Sequence, residues 1–177
     1  MGVRMQKILV VSHCILNICS KVTSYNVDEQ RVEAEHRRSL LKYIMQEDIQ
    51  LIQLPCPEFL MYGSKRWGHV KEQFDNPFFR SQCRKMLEPV ILQLKEYTAY
   101  PERFEVLGIV AINYSPSCGY HATCKGDWGG ELSDCPNLEQ KIGTVMAVPE
   151  PGVFMEELIK LLDEAKLSLS ILNLSSF

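Results

Sequence analysis

Two spacings of apolar residues alternate along the chain. Lys7-Ile-Leu-Val-Val-Ser12 is an unbroken apolar, β-branched run, the pattern of a strand buried on both faces of a parallel sheet. From Asp28 to Glu47 the spacing becomes helical. Val32, Leu40, Leu41, Tyr43 and Ile44 make an apolar stripe, and Asp28 is placed to cap it. Ile49-Gln-Leu-Ile-Gln-Leu54 is a second strand stopped by Pro55, and Gln73 to Tyr97 reads as helix. Pro89 inside that stretch predicts a kink or a split. Phe104 to Ile112 is the strongest strand, Gly143 to Val148 a fourth, Gly152 to Ala165 an amphipathic helix and Leu167 to Leu174 a fifth strand. The segment 113–142, rich in Gly, Cys, Ser and Asp, reads as a long loop or lid. Loops of that length in a compact domain are usually functional or mobile.

Strand and helix in alternation predict an α/β fold. The expectation is a single domain, residues 1–177, with three layers in the Rossmann-like or flavodoxin-like manner. A mostly parallel sheet of about five strands carries helices on both faces. In such sheets ligands sit beyond the carboxyl ends of the strands. Residues just after each strand are therefore where chemistry is expected.

Composition narrows the classes. With 46% hydrophobic and 23% charged residues the chain has the balance of an ordinary globule, which excludes disorder as its main state. A net charge of −3 provides no basic face, so no nucleic-acid partner is expected. The apolar runs are shorter than the roughly 20 residues of a membrane helix, so no membrane partner is expected either. The segment from Met1 to Lys7 leads into the first apolar run without a small-residue cleavage site. That run is read as a strand rather than a signal peptide, with a cytoplasmic location. In a reducing compartment the seven cysteines are better suited to metal ligation or nucleophilic roles than to disulfides.

Three predicted strands are each followed closely by a cysteine. The first leads into Ser12-His13-Cys14, the second into Pro55-Cys56-Pro57-Glu58, and the third into Asn113-Tyr114-Ser115-Pro116-Ser117-Cys118-Gly119. One such cysteine alone reads best as a small buried hydrophobe. Three at equivalent topological positions point to a shared soft metal centre, iron–sulfur or zinc. A [4Fe-4S] cluster on three cysteines leaves one iron without a protein ligand, open to act as a Lewis acid.

The stretch from Ser12 to Asn17, the triplet Cys56-Pro57-Glu58 and the loop Ser115-Pro116-Ser117-Cys118-Gly119 together resemble a divergent branch of the thiouracil desulfidase family. The resemblance implies a [4Fe-4S] cluster held by Cys14, Cys56 and Cys118. It also implies a non-redox exchange of C=S for C=O on a small thiolated substrate such as a thionucleobase. Glu58 with Ser115 or Ser117 match the assisting carboxylate and hydroxyl. Family members carry Gly and then Arg-Tyr-Asp-Gly after the first cysteine. Here the run is Asn17-Ile-Cys-Ser-Lys-Val-Thr-Ser-Tyr25, which points to a related but distinct thiolated substrate.

The remaining candidates are substrate-side. They are His13, Asn17, Tyr62, Arg66, His121 and Trp128, with Tyr62, Arg66 and Trp67 suited to a flat ring and Trp128 to a stacking lid. Cys19 and Cys83 read as packed thiols, and the run from Glu33 to Arg38 as a solvated helix face. Cys124 and Cys135 follow Cys118 with a spacing that matches no common zinc pattern. Glu150 is a weaker acid/base candidate. Two other functions stay open: a metal-free sulfurtransferase or hydrolase with Cys118 as nucleophile, and a zinc-bound or redox-sensing binding domain. The absence of a Gly-rich loop after the first strand argues against a nucleotide cofactor. The oligomeric state stays open, a homodimer included.

Overall fold

The structure, a computed structural model, describes residues 5–177; residues 1–4 of the expected domain lie outside the described residues. The first apolar run is β1 (Gln6–Val11). It is followed by the short turn α1 (His13–Leu16) and a 3-10 turn (Ile18–Ser20). The long helix α2 (Val27–Gln46) comes next. Asn26 rather than Asp28 caps it, its Oδ1 accepting the Glu29 N–H at 3.1 Å. Asp28 sits in the first turn, where its charge suits the helix dipole. Then come β2 (Gln50–Gln53), α3 (Pro57–Tyr62), α4 (Lys71–Phe74) and α5 (Pro77–Thr98).

The expected break at Pro89 does not occur. Helix α5 runs through it; Pro89 and Lys85, whose carbonyl it deprives of an i+4 donor, both lie on the exposed face. The chain breaks ahead of Pro77 instead. Asn76 accepts the Phe79 N–H at 3.0 Å, and Pro77 takes the first helical position, where no donor is needed.

After β3 (Phe104–Ala111) the supposed loop folds back on itself. It contains β4 (Thr123–Lys125) and α6 (Leu138–Ile142). β5 (Met146–Val148) pairs antiparallel with β4, so the expected fourth strand is not part of the main sheet. Its Met146 and Ala147 are exposed, and a strand without a buried face has no place in a parallel sheet covered on both sides. Helix α7 (Val153–Glu164) and β6 (Ile171–Asn173) complete the chain.

The main sheet has four parallel strands in the order β2-β1-β3-β6. Alternate residues of one strand serve opposite layers. Ile8, Val10, Ile109 and Ala111 pack with Leu87 and Leu94 of α5 and with Phe154 and Leu158 of α7. Leu9, Val11 and Val110 pack with Leu40 and Ile44 of α2. The result is the three-layer α/β arrangement that the alternation predicts. No helix among the described residues is long and apolar enough to cross a membrane.

This topology makes a switch point. The chain leaves β1 towards β2 and leaves β3 towards β6, in opposite directions. The crevice beyond the carboxyl ends of β1 and β3 is where an open α/β sheet holds its ligand.

Candidate functional site

A cavity of about 730 Å³ lies at that switch point. Each predicted cysteine reaches it from a different strand end. Cys14 stands in the single turn after β1 and is buried. Cys56 is the N-cap of α3, and its Sγ accepts the Phe59 N–H at 3.4 Å. Cys118 is buried in the loop after β3, its N–H donating to Ser115 Oγ at 3.0 Å. All three line the cavity.

The thiols also sense one another. Burial pushes Cys14 up to about 11, with the charge of Cys56 adding to the rise. Burial raises Cys56 as well. It carries Cys118 well above the ordinary thiol range, helped by Cys56 and, more weakly, by Glu58 and Cys14. Buried thiols of this kind stay protonated and unreactive at neutral pH; they ionise when a metal takes the place of the proton.

Glu58 adjoins them, 8% exposed in the first turn of α3. Its Oε1 accepts Ser117 Oγ–H at 2.5 Å and Ser115 Oγ–H at 3.2 Å. The Ser117 hydroxyl lies 3.5 Å from Cys118 Sγ. One short chain of polar atoms therefore runs from the carboxylate to the thiol.

The loop that carries these groups is held by the start of α7. The Val153 N–H donates to the Pro116 carbonyl at 3.1 Å, and those of Phe154 and Met155 to the Ser117 carbonyl at 3.0 and 3.2 Å. Amides that would otherwise be orphaned at a helix start thus bind the Ser-Pro-Ser-Cys-Gly turn. The approach requires Gly152, because a Cβ there would stand 2.6 Å from the Ser117 carbonyl oxygen and 2.7 Å from that of Pro116.

Several substrate-side candidates are placed otherwise. His13 and Arg66 line the cavity, but the Arg66 guanidinium is buried and engaged. It donates to the carbonyls of Gly63 at 2.8 Å and Ser20 at 2.6 Å, and its Nε lies 3.5 Å from Glu58 Oε2. It braces the wall rather than facing a ligand. The Asn17 side chain caps the 3-10 turn, accepting the Cys19 N–H at 3.2 Å, and is not on the cavity wall. The Tyr62 ring stacks on Phe74 at 5.8 Å, away from the cavity. His121 is exposed beside Tyr120. Trp128 Nε1–H donates to the Lys141 carbonyl at 3.0 Å, tying the segment to α6. Glu150 is engaged by Lys71 and Lys125 at 3.1 and 2.6 Å.

The other cysteines divide. All seven are free thiols. Cys83 is core, as its helical position predicts. Cys19 is exposed at the cavity wall rather than packed. Cys124, on β4, also lines the cavity, its Sγ–H directed at the His69 carbonyl at 3.4 Å. Cys135 lies apart, with Asn137 Oδ1 at 3.5 Å. Glu33 and Arg37 are not simply solvated. Glu33 pairs with Lys21 and lines the cavity, and Arg37 donates to the Ile15 carbonyl at 2.9 Å.

The sequence names Ser12 and Tyr114 at strand ends without a role, and gives no sign of His69. The His69 ring lies against Phe74 at 4.8 Å and Tyr62 at 5.2 Å. Its buried Nδ1 has no hydrogen-bond partner among the described residues, and burial lowers its pKa. Tyr114 is 65% exposed on the cavity wall with φ of +66°, pinned by its N–H to the Ala122 carbonyl at 2.8 Å. A tyrosine in left-handed backbone is unusual, and no spacing rule announces it.

Among the described residues, no three His, Cys, Asp or Glu side chains converge closely enough to hold a single metal ion. The three thiols on the cavity wall are soft donors of the kind that iron–sulfur clusters and zinc take. On the same wall the buried atoms Ser12 Oγ and His69 Nδ1 have no hydrogen-bond partner among the described residues.

An uncharacterized protein of Methanocaldococcus jannaschii is 36% identical over 104 residues, which amount to 59% of this chain and 64% of that protein. The match thus spans just under two thirds of the relative's length. No protein-family model matches the chain. No solved structure matches it.

Proposed function

We propose that the protein is an iron–sulfur-dependent desulfidase that replaces the sulfur of a small thiocarbonyl compound, such as a thionucleobase, by oxygen. One observation carries the reading. Cys14, Cys56 and Cys118 come from the ends of three adjacent parallel strands to one cavity, and the Glu58–Ser117 pair sits against Cys118.

The three cysteines would hold a [4Fe-4S] cluster. When bound, it supplies an iron free of protein ligands, a soft Lewis acid that prefers sulfur to oxygen. The chain's own residues handle water and protons. Glu58 takes a proton from the attacking water at a carboxylate oxygen. Ser115 and Ser117 hold Oε1 in place through their hydroxyls, and Arg66 balances its charge from the Oε2 side. Water oxygen replaces the substrate sulfur, which leaves as hydrosulfide, and no net electron transfer occurs.

A metal-free route through Cys118 has less support, because a buried thiol raised by its burial is a poor nucleophile at neutral pH.

Anaerobic reconstitution with iron and sulfide tests the proposal. Wild type should bind about four irons and four sulfides per chain and release sulfide from 2-thiouracil or a related thione. Cys14→Ala, Cys56→Ala and Cys118→Ala should each lose the cluster. Wild-type protein that takes up no iron–sulfur group under these conditions overturns the reading.

A further inference from the structure

Ser12 ends the first strand, two residues before Cys14. It occupies the N-cap of α1, where a serine ordinarily turns its hydroxyl onto the first turn. It makes no such bond, and the Ile15 N–H goes instead to the Ser12 carbonyl at 3.0 Å. The residue is 1% exposed, and its Oγ finds no hydrogen-bond partner among the described residues. Its backbone is fixed across the switch point by its N–H to the Val110 carbonyl at 3.0 Å. It lines the same cavity as the three thiols. A buried hydroxyl without a partner is a cost to folding, and alanine at this position would avoid it.

We propose that Ser12 is a positioning residue for the sulfur-ligated group, donating a hydrogen bond from Oγ to a sulfur of that group. The inference rests on the three-thiol reading given above. Depth selects the acceptor. Tyr114 stands 65% exposed on the cavity wall, whereas Ser12, at 1%, lies deeper than Cys14 at 7% and Cys118 at 9%. Sulfur atoms of a cluster accept hydrogen bonds, and such bonds draw off negative charge and raise the reduction potential.

The test is a redox titration of the reconstituted protein followed by electron paramagnetic resonance, with resonance Raman spectra in H2O and D2O. Ser12→Ala should bind the same iron and sulfide per chain as wild type, at a lower midpoint potential. Its Fe–S stretching bands should lose part of their deuterium shift, and Ser12→Thr should restore both. Ser12→Gly repeats the comparison if the alanine chain does not fold. A Ser12→Ala protein with wild-type potential and deuterium shift overturns the role of Ser12 and leaves the cluster reading standing. Wild-type protein that binds no cluster overturns both.

Discussion

Glu58 illustrates how one side chain is committed by its neighbours. One oxygen takes two serine hydroxyls, and the other faces a buried guanidinium, which leaves the carboxylate little freedom to rotate. If it is the base, Glu58→Gln keeps the shape and removes the proton acceptor. Sulfide release should then fall roughly a hundredfold or more, with the cluster content unchanged. Ser117→Ala removes a hydroxyl bond to a charged group, and its loss should lower the turnover number by about tenfold with a smaller effect on KM. Steady-state kinetics on the reconstituted proteins decide both, and an unchanged Glu58→Gln rate removes Glu58 from the mechanism. The His69 ring is clamped by Phe74 and Tyr62, while its buried Nδ1 has no hydrogen-bond partner among the described residues. None of this follows from residue type alone, because a histidine between Gly68 and Val70 carries no pattern.

At the scale of elements, α7 does two jobs. Its apolar face, from Val153 to Leu162, covers one side of the sheet. Its first amides fasten the loop that carries Ser117 and Cys118. The two jobs meet at Gly152, where only hydrogen fits beneath two carbonyl oxygens. Gly152→Ala should destabilise the fold by about 1–3 kcal/mol through overpacking, read as a lower denaturation midpoint. It should also weaken cluster loading, because the displaced atoms belong to the Cys118 loop. A Gly152→Ala protein with wild-type stability and loading would show that the loop yields freely. The same helix is tied to α5 by charge: Glu157, buried, accepts from Arg80 at 2.7 Å, and Arg84 lies 3.4 Å from its other oxygen.

Across the whole molecule these pairs set how stability responds to pH. Burial works against the ionised form of Glu157, but the hydrogen bonds from Lys160 and Arg80 outweigh it and hold the group below its ordinary 4.5. Lys125 and then Lys71 lower Glu150 in the same way. A carboxyl depressed in the folded state contributes stability above its unfolded value and loses it as pH falls through the folded one. Acid should therefore begin to weaken the protein below about pH 4.5, and Glu157→Gln should flatten that limb. The metal-free thiols act at the other end. Burial raises Cys14 to about 11 and Cys83 to about 12 from an ordinary 9. Their contribution is complete below pH 9 and fades as pH rises through the folded values. Thermal midpoints measured from pH 3 to pH 11 should trace a dome with both shoulders, and a flat acid limb in wild type would overturn the role given to the glutamates.

By itself the sequence determined what repeats or is local. The apolar runs announced β1, β2 and β3, the alternation announced a layered α/β molecule, and the cysteine after each of three strands announced a common edge. Each of these rests on spacing along the chain, which fold physics reads directly. The tertiary structure decided what depends on partners distant in the chain. It moved Met146–Val148 out of the main sheet by offering it Thr123–Lys125, and tied Trp128 to Lys141. It took Arg66 into the wall through the carbonyls of Ser20 and Gly63. It also left the Ser12 hydroxyl buried without a hydrogen-bond partner among the described residues. Those outcomes hinge on which donor meets which acceptor across tens of residues, and no local pattern encodes that meeting.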